Sequence, residues 1–409
     1  MKLNILLVLF LVCQINLHGQ EISKKTEISL AQKINIKSSI LGEERDILIY
    51  QPQGLWGMDE KMVNLPVIYV LDGESQFFHT MTTVDFLSIA TNGNDFIPRS
   101  IVVGIPNTNR NRDLTPVKDA KFENSGSGSK FLDFITQELI PYIDSNYNTS
   151  NHRTIIGHSM GALISFKALL TKRNYFDNYI AIDPSFGLAN ESFLNEVLDT
   201  LNNADLSTEN LYFSAANNRP DFITKEDIMF DTSEFLKSID IPNHKFIEAY
   251  NPDKWRINLT TKYYSNENHY SVPHISTYDG LRELYKFYTF PEITNYYHPK
   301  YKHKSDLVNS MKQHYRTISH KMGYEVIPMQ GYINSFAFGL SHFDRKDLAI
   351  DLLKYNIELH PEDPAVYNNL GYYYMTNENI KKAIEIYNQS LKLESDEWVL
   401  KTVERLQKM

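Results

Sequence analysis

Gly157-His158-Ser159-Met160-Gly161 sets a serine midway between two glycines. This G-x-S-x-G spacing suits a nucleophile on a sharp strand-to-helix turn, with its hydroxyl exposed and the glycines leaving room where the chain doubles back. The chemistry it points to is acyl transfer. A serine attacks a carbonyl, a base takes its proton, an orienting group holds the base, and two backbone N–H groups receive the developing oxyanion. In hydrolases built this way the partners follow in the order serine, acid, histidine. Downstream, "NENHYSVPH" offers His269 and His274 as bases. His269 stands in a polar, loop-like stretch just before Ser271-Val272-Pro273. For the acid, the loop after "LYFSAA" reads "NNRPDFITKED", with Asp221, Glu226 and Asp227. Asp221 is nearest the strand end, where position is best fixed, and it is taken as the orienting carboxylate. An amide, Asn217 or Asn218, is the alternative. The oxyanion donors are expected to be the N–H of Met160, next to the nucleophile, and that of Glu74 in "VLDGES", where the chain turns at Asp72-Gly73.

These groups need a scaffold. "RTII" before the motif reads as a buried strand and "ALISFKALL" after it as an amphipathic helix. Similar continuous apolar runs occur at Leu65–Gly73, Ser100–Pro106, Tyr179–Asp183 and Leu211–Ala216, as in parallel strands covered on both faces. Phe131, Phe134, Ile135 and Leu139 form a helical stripe between them. Strand–helix alternation predicts a doubly wound α/β domain with a mostly parallel sheet, and "HKFIEAY" (His244–Tyr250) is read as its last strand. Ahead of it, "INIKSSILGEERDILIYQP" reads as two antiparallel strands around Leu41-Gly42-Glu43.

The chain of 409 residues has a net charge of −9, which argues against nucleic acid, and "KYKHK" (Lys300–Lys304) is too short to be a basic stripe. Residues 1–20 read as a signal peptide: Lys2, then an apolar block Ile5–Val12, then Gly19-Gln20. Secretion to the periplasm or beyond is the expectation. The one cysteine, Cys13, lies in this segment, so the mature chain would hold neither disulfide nor thiol nucleophile. No cofactor and no metal site is expected.

Beyond residue 295, "YYHPKYKHK" reads as a linker (296–304) and 305–409 as helical. An offset of 34 residues places Gly371 over Ala337, Leu370 over Phe336, Tyr374 over Leu340, Ala383 over Ala349 and Tyr387 over Leu353. That period, with small and large residues in those slots, resembles tetratricopeptide repeats at 330–363 and 364–397. Flanking helices are expected around Ser305–Met322 and Asp396–Lys408. Such a tail suggests a protein-interaction module, so a repeat protein on a degenerate hydrolase scaffold is the alternative to an enzyme.

Seven ordered stretches, among them "SILGEERDILIYQP", "PVIYVLDGESQF", "IVVGIPNTNRNRDLTP", "RTIIGHSMGALISF" and "NHYSVPHISTYDGLRELY", resemble the esterase D-like family that includes the ferric-enterobactin esterases. The resemblance covers about Ile34 to Phe290. It implies an α/β-hydrolase domain at 21–295 and hydrolysis of carboxylic esters (siderophore, sugar-acyl or aryl) by Ser159 and His269, with Glu74 and Met160 at the oxyanion positions. Ala162 stands where the family has a further glycine. Arg110, Arg112 and Asp113 in "NTNRNRDLTP" are placed at the ligand end of the sheet, where they would contact an anionic substrate or fix the loop by ion pairs.

Overall fold

A computed structural model describes residues 29–52, 64–89, 95–220, 233–291, 293–298, 300–301 and 306–409. The expected signal peptide and Cys13 lie outside these residues. Eight strands form one sheet in the order β1-β2-β4-β3-β5-β6-β7-β8. They are β1 Gln32–Ser38, β2 Glu43–Tyr50, β3 Leu65–Leu71, β4 Ile101–Ile105, β5 Thr149–His158, β6 Asn178–Ile182, β7 Asp205–Ala216 and β8 Arg256–Tyr264. β1 and β2 pair antiparallel, turning at Gly42 with φ +76°. From β4 to β8 every pairing is parallel. In the five parallel strands other than the edge strand β8, the apolar runs seen in the sequence are the buried strands, fully enclosed in β3, β4 and β6.

The last strand is not the segment expected. His244–Tyr250 belongs to a helix, Ile241–Ala249, that runs on without a break from the wider helical turn Leu236–Asp240, with Pro242 at the junction. The edge strand is β8, "RINLTTKYY", whose residues are mostly half-buried or exposed.

Alternate residues of each strand feed two cores. Val67, Tyr69, Ile155, Tyr179 and Phe213 face one, together with the helix Met160–Thr171. Ile68, Val70, Ile156, Ile180 and Tyr212 face the other, covered by the helices Gly73–Leu87 and Val272–Leu284. This second core does not stop at the sheet domain. It runs on through Tyr285, Tyr288, Phe290 and Tyr296 into Leu307, Met311, Tyr315, Phe336 and Leu340 of the tail.

The tail is helical: Leu307–Met322, Gln330–His342, Lys346–Leu359, Pro364–Thr376, Ile380–Leu393 and Glu397–Gln407. Two successive helix pairs start 34 residues apart, at 330 and 364 and again at 346 and 380. At Gly371 a Cβ would lie 2.8 Å from the Tyr387 ring, so this close crossing excludes any side chain. The connector begins as a packed element, the short helix Ile293–Tyr297 with Tyr296 buried. Tail and sheet domain are tied by polar contacts as well. Tyr315 Oη donates to Asp95 Oδ2 (3.2 Å), and His314 Nε2 meets the Tyr288 carbonyl (3.0 Å). Asp95 precedes β4, and Tyr285, which follows the helix Val272–Leu284, reaches Thr154 on β5 beside the first residue of β6. The tail therefore sits at the pole where the parallel strands begin.

Candidate active site

Ligand sites in open parallel sheets form at the carboxyl ends of the strands, where neighbouring connections leave in opposite directions. Here that point lies between β3 and β5: the chain leaves β3 for β4 on one side, then crosses back to β5 on the other. Ser159 follows β5, and Asp72-Gly73-Glu74 follow β3, so both sit at this crevice.

Ser159 has φ +59° and ψ −119°, a strained conformation for a residue with a side chain. The turn is so tight that a Cβ at Gly157 would lie 2.1 Å from the Gly161 carbonyl oxygen. At Gly161 a Cβ would meet Asp72 Oδ2 at 3.3 Å, which measures how closely the β3 and β5 turns approach. Ala162 is fully buried in the helix behind, so its methyl is accommodated.

His269 lies in the loop between β8 and the helix Val272–Leu284. Its backbone N–H donates to Asn218 Oδ1 (2.8 Å), which pins this loop to the end of β7. The ring then bridges two groups. Nε2 is 3.0 Å from Ser159 Oγ, and Nδ1 is 2.7 Å from Asp183 Oδ2. His274 is exposed on the next helix, its ring 5.4 Å from that of His79, and it takes no part in this contact.

The carboxylate that meets His269 is therefore Asp183, at the end of β6. Asp221, Glu226 and Asp227 all lie outside the described residues, and the Nδ1 position where Asp221 was expected is filled by Asp183. Asp183 is wholly buried with φ +43°. Its oxygens accept from Ala216 N–H (3.0 Å), Asn243 Nδ2 (3.1 Å) and Asn218 Nδ2 (2.9 Å) besides the histidine. Asn218, weighed as an orienting amide, instead clamps both the acid and the backbone of His269. In the sequence Asp183 closes the apolar run "YIAID" and stands between Ser159 and His269 in chain order, as Asp221 also does.

Met160 and Glu74 are the first and second residues of helices whose opening N–H groups have no acceptor within the helix. Both helix starts flank the crevice, so their amides and positive dipole ends suit a developing oxyanion.

Residues 38–226 match the family model described as "Putative esterase". The chain is 33% identical over 138 residues to the ferri-bacillibactin esterase BesA of Bacillus subtilis, covering 29% of this chain and 47% of that protein. It is 31% identical over 132 residues to a siderophore triacetylfusarinine C esterase of Aspergillus fumigatus, covering 30% and 44%. Against these relatives the chain spans about half of their length. Among solved structures, an IroE-like serine hydrolase of Shewanella oneidensis superposes with a TM-score of 0.65 at 29% identity, covering 80% of this chain and 99% of that one.

Charged groups around the esterase-like site are arranged to stay put. Arg110 pairs with both oxygens of Asp72 (2.6 and 2.9 Å), and Asn107 Nδ2 donates to the same carboxylate (2.6 Å). Arg112 bridges Glu43 and Asp113, and the fully buried Arg45 bonds Asp113 at 2.6 Å. The "NTNRNRD" side chains thus make ion pairs that fix their loop. Arg112, and secondarily Arg45, hold the Glu43 carboxyl down at about 2, against the opposing effect of partial burial. His158 packs 4.5 Å from the His269 ring, and burial, reinforced by His269, pushes its imidazole down to about 3. It stays neutral beside the His269 ring. Among the described residues no group of three or more His, Cys, Asp or Glu could hold a metal ion.

Proposed function

We propose that this protein is a serine carboxylester hydrolase. The observation that carries the reading is the continuous contact Asp183–His269–Ser159, at 2.7 and 3.0 Å, on a strand-to-helix elbow. Ser159 Oγ attacks the ester carbonyl, its proton passes to His269 Nε2, and the carbonyl electron pair moves onto the oxygen held by the N–H groups of Met160 and Glu74. Collapse expels the alcohol, which takes the proton from His269. Water then repeats the sequence on the acyl-enzyme and releases the acid. Asp183 holds the ring with its proton on Nδ1 and stabilises the imidazolium. The names of the relatives make siderophore esters the first substrate class to test, ahead of sugar-acyl and aryl esters.

A fluorophosphonate probe should label the protein at Ser159, and Ser159→Ala should lose both labelling and ester turnover. No labelling of folded protein, together with no hydrolysis across an ester library, would sink the proposal.

The amino-terminal segment supports export to the periplasm or beyond; among the described residues no helix is long and apolar enough to cross a membrane. The 34-residue recurrence of helix starts supports two tetratricopeptide-like repeats in the tail. Their core is continuous with that of the hydrolase, which supports a structural buttress. A docking role is favoured by one observation: Phe338 and Tyr372, also 34 residues apart, are 68% and 49% exposed at equivalent places. Replacing both by alanine leaves ester turnover intact in either case, and abolishes partner binding only if the tail docks one.

A further inference from the structure

The loop leaving β6, Asp183-Pro184-Ser185-Phe186, carries a second group to the reacting centre. Ser185 Oγ lies 2.9 Å from Ser159 Oγ, and its backbone N–H donates to the Ser159 carbonyl (3.2 Å). Both serines are buried, at 7% and 8% exposure. Proton accounting fixes the direction of the hydroxyl–hydroxyl bond. A carboxylate has no proton to give, so His269 Nδ1 donates to Asp183 and the neutral ring keeps a lone pair on Nε2. Ser159 must donate its only proton to that lone pair. Hence the hydroxyl proton between the two serines belongs to Ser185, and Ser159 Oγ accepts it.

We propose that Ser185 is a catalytic residue of this esterase site, donating a hydrogen bond to the nucleophile oxygen whenever that oxygen carries charge. This rests on the reading of Ser159 as nucleophile. Charge gathers on Oγ twice. It does so first as the Ser159 proton moves to His269 and the Oγ–carbon bond begins to form. It does so again when water has added to the acyl carbon, the carbon–Oγ bond breaks, and the electron pair returns to Oγ before His269 reprotonates it. A donor fixed at 2.9 Å stabilises both moments. Its placement is rigid: Phe186 is buried among Phe166 and Phe246, and a Cβ at Gly187 would lie 2.1 Å from the Lys237 carbonyl oxygen, so this loop is packed tightly against the helical segment 236–249.

The test separates acylation from deacylation in the full chain. Ser185→Ala should slow the p-nitrophenol burst and the breakdown of the accumulated acyl-enzyme, each about five- to tenfold, with KM and melting temperature unchanged. Ser185→Cys, which keeps the shape with a weaker donor, should slow both steps by a smaller factor. In the acyl-enzyme Oγ is held covalently, so a residue that only set the Ser159 rotamer would leave deacylation at the wild-type rate. That result, or a Ser185→Ala enzyme unaltered in both steps, overturns the proposal. Persistent turnover in Ser159→Ala would instead remove the esterase reading itself.

Discussion

Asp183→Asn changes one atom and separates the charge of the relay from its shape. Each oxygen of Asp183 accepts two hydrogen bonds: Oδ1 from Ala216 N–H and Asn243 Nδ2, Oδ2 from Asn218 Nδ2 and His269 Nδ1. The new amide nitrogen must stand in one of these places. At the Oδ2 place it points a donor at His269, which must then accept on Nδ1 and carry its proton on Nε2. That tautomer cannot take the Ser159 proton, and the loss is about four orders of magnitude in kcat. At the Oδ1 place Asn243 can turn its unpaired Oδ1 toward the new amide, leaving only the Ala216 N–H without an acceptor, for about 1–3 kcal/mol of stability. The histidine then keeps its tautomer and loses only the carboxylate charge. At about 4 Å and an effective dielectric of about 20, that charge is worth about 4 kcal/mol to the imidazolium, or about three orders of magnitude. Either arrangement predicts a kcat lower by three to four orders of magnitude in a protein that still folds. Steady-state hydrolysis of p-nitrophenyl acetate, with thermal melts and Asp221→Asn as a control held within about twofold of wild type, measures it. An Asp183→Asn enzyme within tenfold of wild type would refute the assignment of Asp183.

The elbow should tolerate no side chain at Gly157: Gly157→Ala drives a methyl to 2.1 Å from a backbone oxygen, so probe labelling should vanish, whereas Gly161→Ala, at 3.3 Å from a side chain, should retain part of it. Removing residues 306–409 uncovers Tyr285, Tyr288, Phe290 and Tyr296; at about 1.5–3 kcal/mol each, their exposure rivals the stability of a whole domain, and the truncated chain should fail to give a cooperative melt. Burial raises the Asp95 carboxyl to about 7, with a smaller opposing effect from the Tyr315 hydroxyl. Because the folded value lies above the unfolded one of about 4, the native state holds the extra proton between pH 4 and 7, and stability falls as pH rises through that window. Asp95→Asn should flatten the dependence of the urea midpoint on pH and raise it at neutral pH; a midpoint in the variant that still falls between pH 4 and 7 would contradict this.

Most of the frame was legible because burial writes itself as composition. β3, β4, β6 and the second halves of β5 and β7 are covered on both faces and read as short apolar runs. β8 is an edge strand, so "RINLTTKYY" carries no such run, while Phe246 and Ile247 belong to a helix continuous with the turn Leu236–Asp240. In the site, Ser159 and His269 were readable from local spacing and order, and the two come together across 110 residues. The acid was not. A carboxylate at the end of a buried strand looks like the strand's own polar terminus, and only the convergence of Asn218, Asn243 and Ala216 N–H on Asp183 reveals why it is kept there. Ser185 escaped notice for the same reason, since a serine after a proline in a loop has no sequence signature.

The shared core has a consequence for how variation in this chain would be felt. β5 is ten residues long, about 30 Å, and it separates the tail's pole from the nucleophile at the other end. A substitution among the tail helices lies at that distant pole, yet it weakens the same packed unit that holds the Ser159 turn. Its effect in a cell would be on abundance, through proteolysis of the unfolded fraction, and an assay normalised to intact enzyme would miss it.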